Sequence, residues 1–339
     1  LWVVVEKNMH DASWFSLILY HCEFSMMKRI VLIIDDVHSI ITEGLKKAGF
    51  DVVDATKWTR GEILAQVANA FGIVLRSRIN VDREFVDAAK NLRYVARVGA
   101  GMETIDVDYC ATKGILCLNS PEGNRDAVGE HTVGMLLSLL NNLNRADRQV
   151  KAGEWKREMN RGRELGFRTV GIIGYGNMGS SFARKLSGFG CKVLAYDKYK
   201  TGYSDAYADE VSLDDIFANA DVLSLHVPLT AETKYMVDDE FVAKFNNPFV
   251  LLNASRGPVV RTSALVSALQ SGKIVAAGLD VIEYEETSFE ATKKMTDNPD
   301  FRYLAQCDNV IMSPHIAGWT VESKVKLAQV LLDKILKVG

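Results

Sequence analysis

From Arg29 onward the chain alternates short apolar runs with stretches whose apolar residues recur at helical spacing. IVLIID, starting at Ile30, precedes SIITEGLKKAG and then FDVVD; GEILAQVANA precedes FGIVLRS, and VDREFVDAAKN precedes LRYVARVGAG. This grammar predicts an α/β domain with a parallel sheet. A breaker-rich stretch, Asn119-Ser120-Pro121-Glu122-Gly123-Asn124, then leads into one long helical pattern from about Asp126 to Lys151. Val128, Met135, Leu136, Leu139, Leu140 and Leu143 give that helix a broad apolar face, suited to a domain or subunit boundary.

The alternation resumes at Thr169 with TVGIIGYGNMGSSFARKLSGFGCKVLAYD, which ends at Asp197. It reads as strand, glycine turn, amphipathic helix and second strand closed by an acid, the length of one βαβ unit. Gly174, Gly176 and Gly179 fit a dinucleotide site: a tight turn, close approach of backbone to pyrophosphate, and close helix packing. The helix start at Asn177 and Met178, with Tyr175 in the turn, would turn free N–H groups to the phosphates. Asp197, about eighteen residues past Gly179, is placed to accept from both ribose hydroxyls, which predicts NAD over NADP. Lys198 and Lys200 soften that preference without reversing it.

Length and composition then bound the remainder. A chain of 339 residues suggests two domains, and 48% apolar with 24% charged residues is ordinary for a globular protein. A formal net charge of -3 gives no electrostatic case for nucleic acid or an anionic membrane. The locally basic stretch Arg145 to Arg168 is interleaved with acids and reads as a solvated or subunit-facing surface. Five scattered cysteines with no CxxC suggest reduced thiols in a cytoplasmic protein and no metal site. No apolar run approaches the roughly eighteen residues that span a bilayer. Residues 1 to 26 lack the marks of a signal peptide, and Met26-Met27-Lys28-Arg29 looks like a fresh start, so an extension outside the fold is expected there.

Polar clusters close several strands. Arg76-Ser77-Arg78 and Arg97-Val98-Gly99-Ala100-Gly101 follow strands of the first half, where open α/β sheets bind ligands. The second half offers His226, Asn253 to Gly257, Asp280 with Glu285, and His315. Hydride exchange at a hydroxyl-bearing carbon needs an acid/base, a cation to hold the substrate, and a group that orients the acid/base. His315, Arg256 and Glu285 are candidates for these three. Singly, each also reads as an ordinary hydrogen-bonded histidine, surface arginine or solvated glutamate. His131, on the long helix, reads as a packed or hydrogen-bonded residue.

Six stretches decide between those readings: VGAGMETID, NSPEGNRDAVGEH, GYGNMG, NASRG, GLDVIEYE and SPHIAGW, in that order. Together they resemble the D-isomer-specific 2-hydroxyacid dehydrogenases, over the chain from about Met27 to its end. The resemblance implies two doubly wound parallel-sheet domains, a Rossmann NAD-binding domain (125–313) inserted into a flavodoxin-like substrate domain (27–124 and 314–339). It implies His315 as acid/base, Glu285 as its partner and Arg256 as the substrate-binding arginine. The Val98-Gly99 backbone with Ser77 would receive the substrate carboxylate. Cofactor contacts would come from Gly174 to Gly179, Asp197, His226, Val227, Pro228, Ala254, Ser255, Arg256 and Asp280.

A small 2-hydroxy or 2-oxo acid, of phosphoglycerate or glycerate/hydroxypyruvate type, is the implied substrate, and the helix and arm after Asn124 would form a homodimer contact. Three departures stand out. Glu286 replaces the proline common after the family's glutamate, which leaves Glu283 and Glu286 as alternatives to Glu285. Trp319 stands where a small residue is common, and the stretch from Glu286 to Asn309 is long and polar. Formate dehydrogenase chemistry is disfavoured because it pairs the histidine with glutamine. An NAD(H)-sensing corepressor-like binding protein of the same fold is the alternative from another class. No regulatory domain is read after the terminal helix.

Overall fold

A computed structural model describes residues 29–285 and 293–338. The proposed N-terminal extension and Glu286 lie outside those residues. Five strands form the first sheet: β1 (Ile30–Ile33), β2 (Asp51–Asp54), β3 (Ala70–Leu75), β4 (Tyr94–Arg97) and β5 (Leu116–Leu118), in the order β2-β1-β3-β4-β5. All pair in parallel, and the order is that of a flavodoxin-like sheet.

Successive residues of these strands face opposite ways, so each strand feeds two cores. Val31 and Ile33 pack with helix Ser39–Lys47 and helix Val321–Ile335 through Ile41, Leu45, Leu331 and Ile335. Leu32 and Ile34 join Ile63, Phe85 and Cys110 on the other face. The C-terminal helix thus completes the first sheet's core although it follows the second sheet in sequence. Its start is fixed by a capping box in which Thr320 accepts from the Ser323 N–H.

The second sheet holds seven strands: β6 (Thr169–Ile173), β7 (Lys192–Tyr196), β8 (Asp209–Glu210), β9 (Val222–Leu225), β10 (Phe249–Asn253), β11 (Ile274–Leu279) and β12 (Val310–Met312). Their order is β12-β11-β10-β9-β6-β7-β8, again parallel throughout. Strand order reverses between β6 and β9, which opens a crevice beyond their carboxyl ends. The corresponding reversal in the first sheet lies between β1 and β3.

The expected single helix from Asp126 to Lys151 is two. Helix Arg125–Leu140 ends at Asn141, and Asn142 takes a left-handed φ of 53° before helix Leu143–Lys151. Asparagine tolerates that conformation better than most residues, so the Asn141-Asn142 pair is the sequence signal for the break. The first of these helices is buried in the second domain, its Leu136 and Leu139 packed with Ile172, Phe182 and Leu252. The second buries no residue, and the arm beyond it exposes Trp155, Met159 and Phe167. Among the described residues, no helix is long and apolar enough to cross a membrane.

Candidate active site

The glycine turn closes β6 at the crevice. Gly174 has φ +93°, and a Cβ there would lie 2.5 Å from the His226 carbonyl oxygen at the end of β9. At Gly179 a Cβ would overlap the Gly174 carbonyl oxygen, whereas at Gly176 it would meet nothing within 4 Å. The turn is therefore tight against protein on two sides and open on the third. Helix Asn177–Leu186 starts there with no side chain capping it, so the N–H groups of its first turn face that open side. A pyrophosphate fits this arrangement, with the peptide dipoles favouring its charge.

Asp197 ends β7 and accepts from the Tyr175 N–H at 2.9 Å and the Tyr199 N–H at 3.0 Å. Both nearby lysines are engaged elsewhere: Lys198 pairs with Glu232, and Lys200 donates to the Tyr175 carbonyl at 2.7 Å. Tyr175 stacks on Tyr203 and donates to Asp205; burial, then Asp205, pushes its phenol well above the usual range. Val227 flanks Gly174, and the Pro228 carbonyl accepts from Thr233. His226 sits against Phe182 with Nε2 2.9 Å from the Ser224 hydroxyl, and burial lowers its pKa to about 4.

The turn after β10 is built by Asn253, almost wholly buried. Its Oδ1 accepts from the Ser255 N–H and hydroxyl, and its Nδ2 donates to the Arg256 carbonyl. Ala254 and Ser255 are thereby fixed, and the Arg256 guanidinium reaches out to the first domain. Its Nε donates to Glu103 at 2.6 Å, and one terminal nitrogen donates to the Ser255 carbonyl at 2.7 Å. The other, Nη2, lies where a side chain on Gly101 would be.

His315 lies in the loop after β12 with a left-handed φ of 55°. For a non-glycine residue that backbone is strained by roughly 1–2 kcal/mol. Asp280, 1% exposed at the end of β11, holds it there. Its carboxylate accepts from the Ser313 hydroxyl at 2.6 Å and from the N–H groups of Ile316 and Ala317 at 2.9 and 2.8 Å, while its carbonyl accepts from the His315 N–H. Asp280 therefore shapes the loop that carries His315. His131 extends this network, with Nε2 3.0 Å from the Ser313 hydroxyl.

The His315 Nδ1 meets Glu285 Oε2 at 3.2 Å. The alternative Glu283 is engaged elsewhere, accepting from the Thr262 N–H at 2.8 Å.

In the first domain, Asp35 after β1 accepts from the Arg76 N–H at 2.5 Å and so shapes the turn that carries Ser77. The Val98 N–H is already bonded to the Leu75 carbonyl at 2.9 Å, so a carboxylate would have to be met from Gly99 onward. Arg78 donates to the carbonyls of Trp58 and Ala55 and is structural. Arg76 lies over the Trp319 ring at 4.5 Å. The sequence reading missed Glu103 and gave no role to Arg97, although both stand inside the VGAGMETID stretch and its flank.

The family model for the NAD-binding domain of D-isomer-specific 2-hydroxyacid dehydrogenases matches residues 133–317. The chain belongs to that family. A hydroxypyruvate reductase of Thermotoga maritima is 35% identical over 82% of this chain and 88% of its own length. A D-3-phosphoglycerate dehydrogenase of Archaeoglobus fulgidus is 33% identical over 91% of this chain, which spans only 57% of that enzyme. Among solved structures, the D-lactate dehydrogenase of Aquifex aeolicus, complexed with NAD and lactic acid, is 32% identical over 91% of this chain and 94% of its own, with a TM-score of 0.76. The chain is an NAD-dependent 2-hydroxyacid dehydrogenase.

Proposed function

We propose that this dehydrogenase interconverts a small D-2-hydroxy acid and its 2-oxo acid, of the glycerate/hydroxypyruvate or phosphoglycerate type, with His315 as acid/base. The observation that carries the proposal is the 3.2 Å pair between His315 Nδ1 and Glu285, in a loop held under strain by a buried aspartate. Bound NAD supplies or takes the hydride. With its Nδ1–H given to Glu285, His315 presents Nε2 as the atom that exchanges a proton with the substrate oxygen. Arg256 holds the substrate's carboxylate and polarises the adjacent carbonyl. Gly99, in place of Val98, offers a backbone N–H to that carboxylate, and Ser77 its hydroxyl.

On the cofactor side, the Gly174 to Gly179 turn takes the pyrophosphate and Asp197 the adenosine ribose. With Lys198 and Lys200 both engaged, Asp197 keeps its preference for NAD. Residues 27–124 and 314–339 form the substrate domain and 125–313 the NAD-binding domain, the cleft between them closing to exclude water. The exposed apolar arm, with Trp155, Met159 and Phe167, forms a homodimer contact. Among the described residues Cys110, Cys117, Cys191 and Cys307 are free thiols, which fits a reducing cytoplasm.

Purified protein assayed with NADH against hydroxypyruvate, glyoxylate, pyruvate and 3-phosphohydroxypyruvate tests the reading. Oxidation of NADH with at least one of them is expected, and none with any would defeat it. Light scattering on the same preparation is expected to give twice the chain mass; a single-chain mass removes the dimer.

A further inference from the structure

Glu103 lies between two arginines, one from each domain. Arg256 reaches it from the end of β10 and donates through Nε at 2.6 Å. Arg97, at the end of β4, is anchored on its own side by the carbonyls of Arg76 and Gly101, at 2.9 and 2.7 Å. Burial alone would raise the Glu103 carboxyl, but Arg256 and then Arg97 hold it below its usual range, so the group stays charged. Burial in turn lowers the Arg97 guanidinium, against which the Glu103 charge acts. Without that carboxylate, two guanidinium groups would face each other across a partly desolvated cleft.

The geometry at Arg256 divides the guanidinium into separate tasks. Nε is bonded to Glu103 and one terminal nitrogen to the Ser255 carbonyl, while Nη2 lies in the space beside Gly101. A planar fork held at two of its nitrogens has little freedom left to aim the third. Any larger residue at 101 would collide with both Nη2 and the Glu103 carboxylate, so the glycine is what lets this contact form.

We propose that Glu103 is a positioning residue of the substrate site. It docks on Arg256 Nε across the cleft, aims Nη2 at the substrate's carboxylate, and neutralises the repulsion between Arg97 and Arg256. Glu103 stays in place when substrate binds and does not compete for the arginine. This rests on the substrate role of Arg256 given above, so the test includes a reading that needs no turnover.

E103Q removes the charge at nearly constant shape. For whichever 2-oxo acid the wild-type enzyme reduces, its KM is expected to rise about tenfold and its kcat to fall much less, with NADH affinity by fluorescence unchanged. E103D, which keeps the charge, is expected to recover part of the lost KM. An unchanged KM in E103Q overturns the proposal, and a lowered KM shows Glu103 to be a competitor of the substrate. The second reading is thermal unfolding of the ligand-free protein for E103Q, R256Q and the double variant. Coupling is expected, the double variant losing less than the sum of the single losses; strict additivity overturns the contact. Should wild type reduce no 2-oxo acid, the substrate reading fails, and the unfolding cycle alone decides whether Glu103 holds Arg256.

Discussion

Two loops follow strands of the seven-stranded sheet, one after β6 and one after the edge strand β12, and obtain their shape in opposite ways. The turn from Gly174 to Gly179 is shaped largely by its own residues: a positive φ, a helix that packs against the preceding carbonyl, and an open side. The loop from Ser313 to Ala317 contains no glycine, and its left-handed residue is a histidine. Its shape comes from outside, through the buried carboxylate of Asp280, the Glu285 side chain and His131 on a helix from a distant part of the chain. A local loop can be recognised from contiguous residues. A loop imposed from a distance can hold a strained residue in place.

The sharpest break of that comparison is His315→Ala. If the imposed loop serves only the chemical step, turnover falls at least about a hundredfold, roughly 3 kcal/mol of barrier, while NADH affinity stays as it was. Steady-state kinetics beside fluorescence titration of NADH reads both. Turnover within a few-fold of wild type would remove His315 from the mechanism. A loss of NADH affinity equal to the loss of turnover would erase the distinction between the loops.

The same contrast explains what could be read from the sequence. Alternating apolar runs identified two parallel sheets, because buried parallel strands carry their pattern in every residue. GYGNMG with Asp197 announced the dinucleotide because the site is one βαβ unit. Arg256, Glu285 and His315 were singled out as a set only through the family resemblance, since nothing in the spacing says that Glu285 and His315 meet. The hold of Asp280 on the His315 loop was not legible, because its partners are the backbone of a loop more than thirty residues on. Glu103 passed unseen for a related reason: its partner Arg256 belongs to the other domain, and the pair exists only once both sheets are built. The helix break at Asn142 was present in the asparagine pair but outweighed by continuous apolar periodicity.

A smaller effect separates the loops from the other side. Gly179→Ala puts a methyl group into the Gly174 carbonyl, and backbone cannot move aside as a side chain would. Overpacking of this kind costs about 1–3 kcal/mol. NADH binding is expected to weaken about tenfold or more and the melting temperature to drop by several degrees. Substrate turnover at saturating NADH should fall far less than in His315→Ala. Unaltered NADH affinity in Gly179→Ala would mean that the turn is not a shape built by its glycines.

The mildest test reaches the residue between the two loops. His226 closes β9, its carbonyl pressed against Gly174 and its ring enclosed beside Phe182, with a pKa lowered to about 4 by burial. An imidazole in the unfolded chain titrates near 6.5. Between those values the unfolded state binds a proton that the native state does not, so stability rises with pH there. Acidification from about pH 6.5 toward 4 therefore withdraws stability at a limiting slope of about 1.4 kcal/mol per pH unit from this group, and the contribution is complete above 6.5. Because carboxylates lose their own pairs at lower pH, the comparison is with His226→Asn, which retains a polar group for Ser224 and cannot titrate. The variant's denaturation midpoint is expected to fall less steeply than wild type's between pH 6.5 and 5. Parallel pH profiles would show that the histidine gains its proton as easily folded as unfolded. The wall behind the glycine turn would then be open to water, and the turn's tight side would no longer be fixed by dry packing against β9.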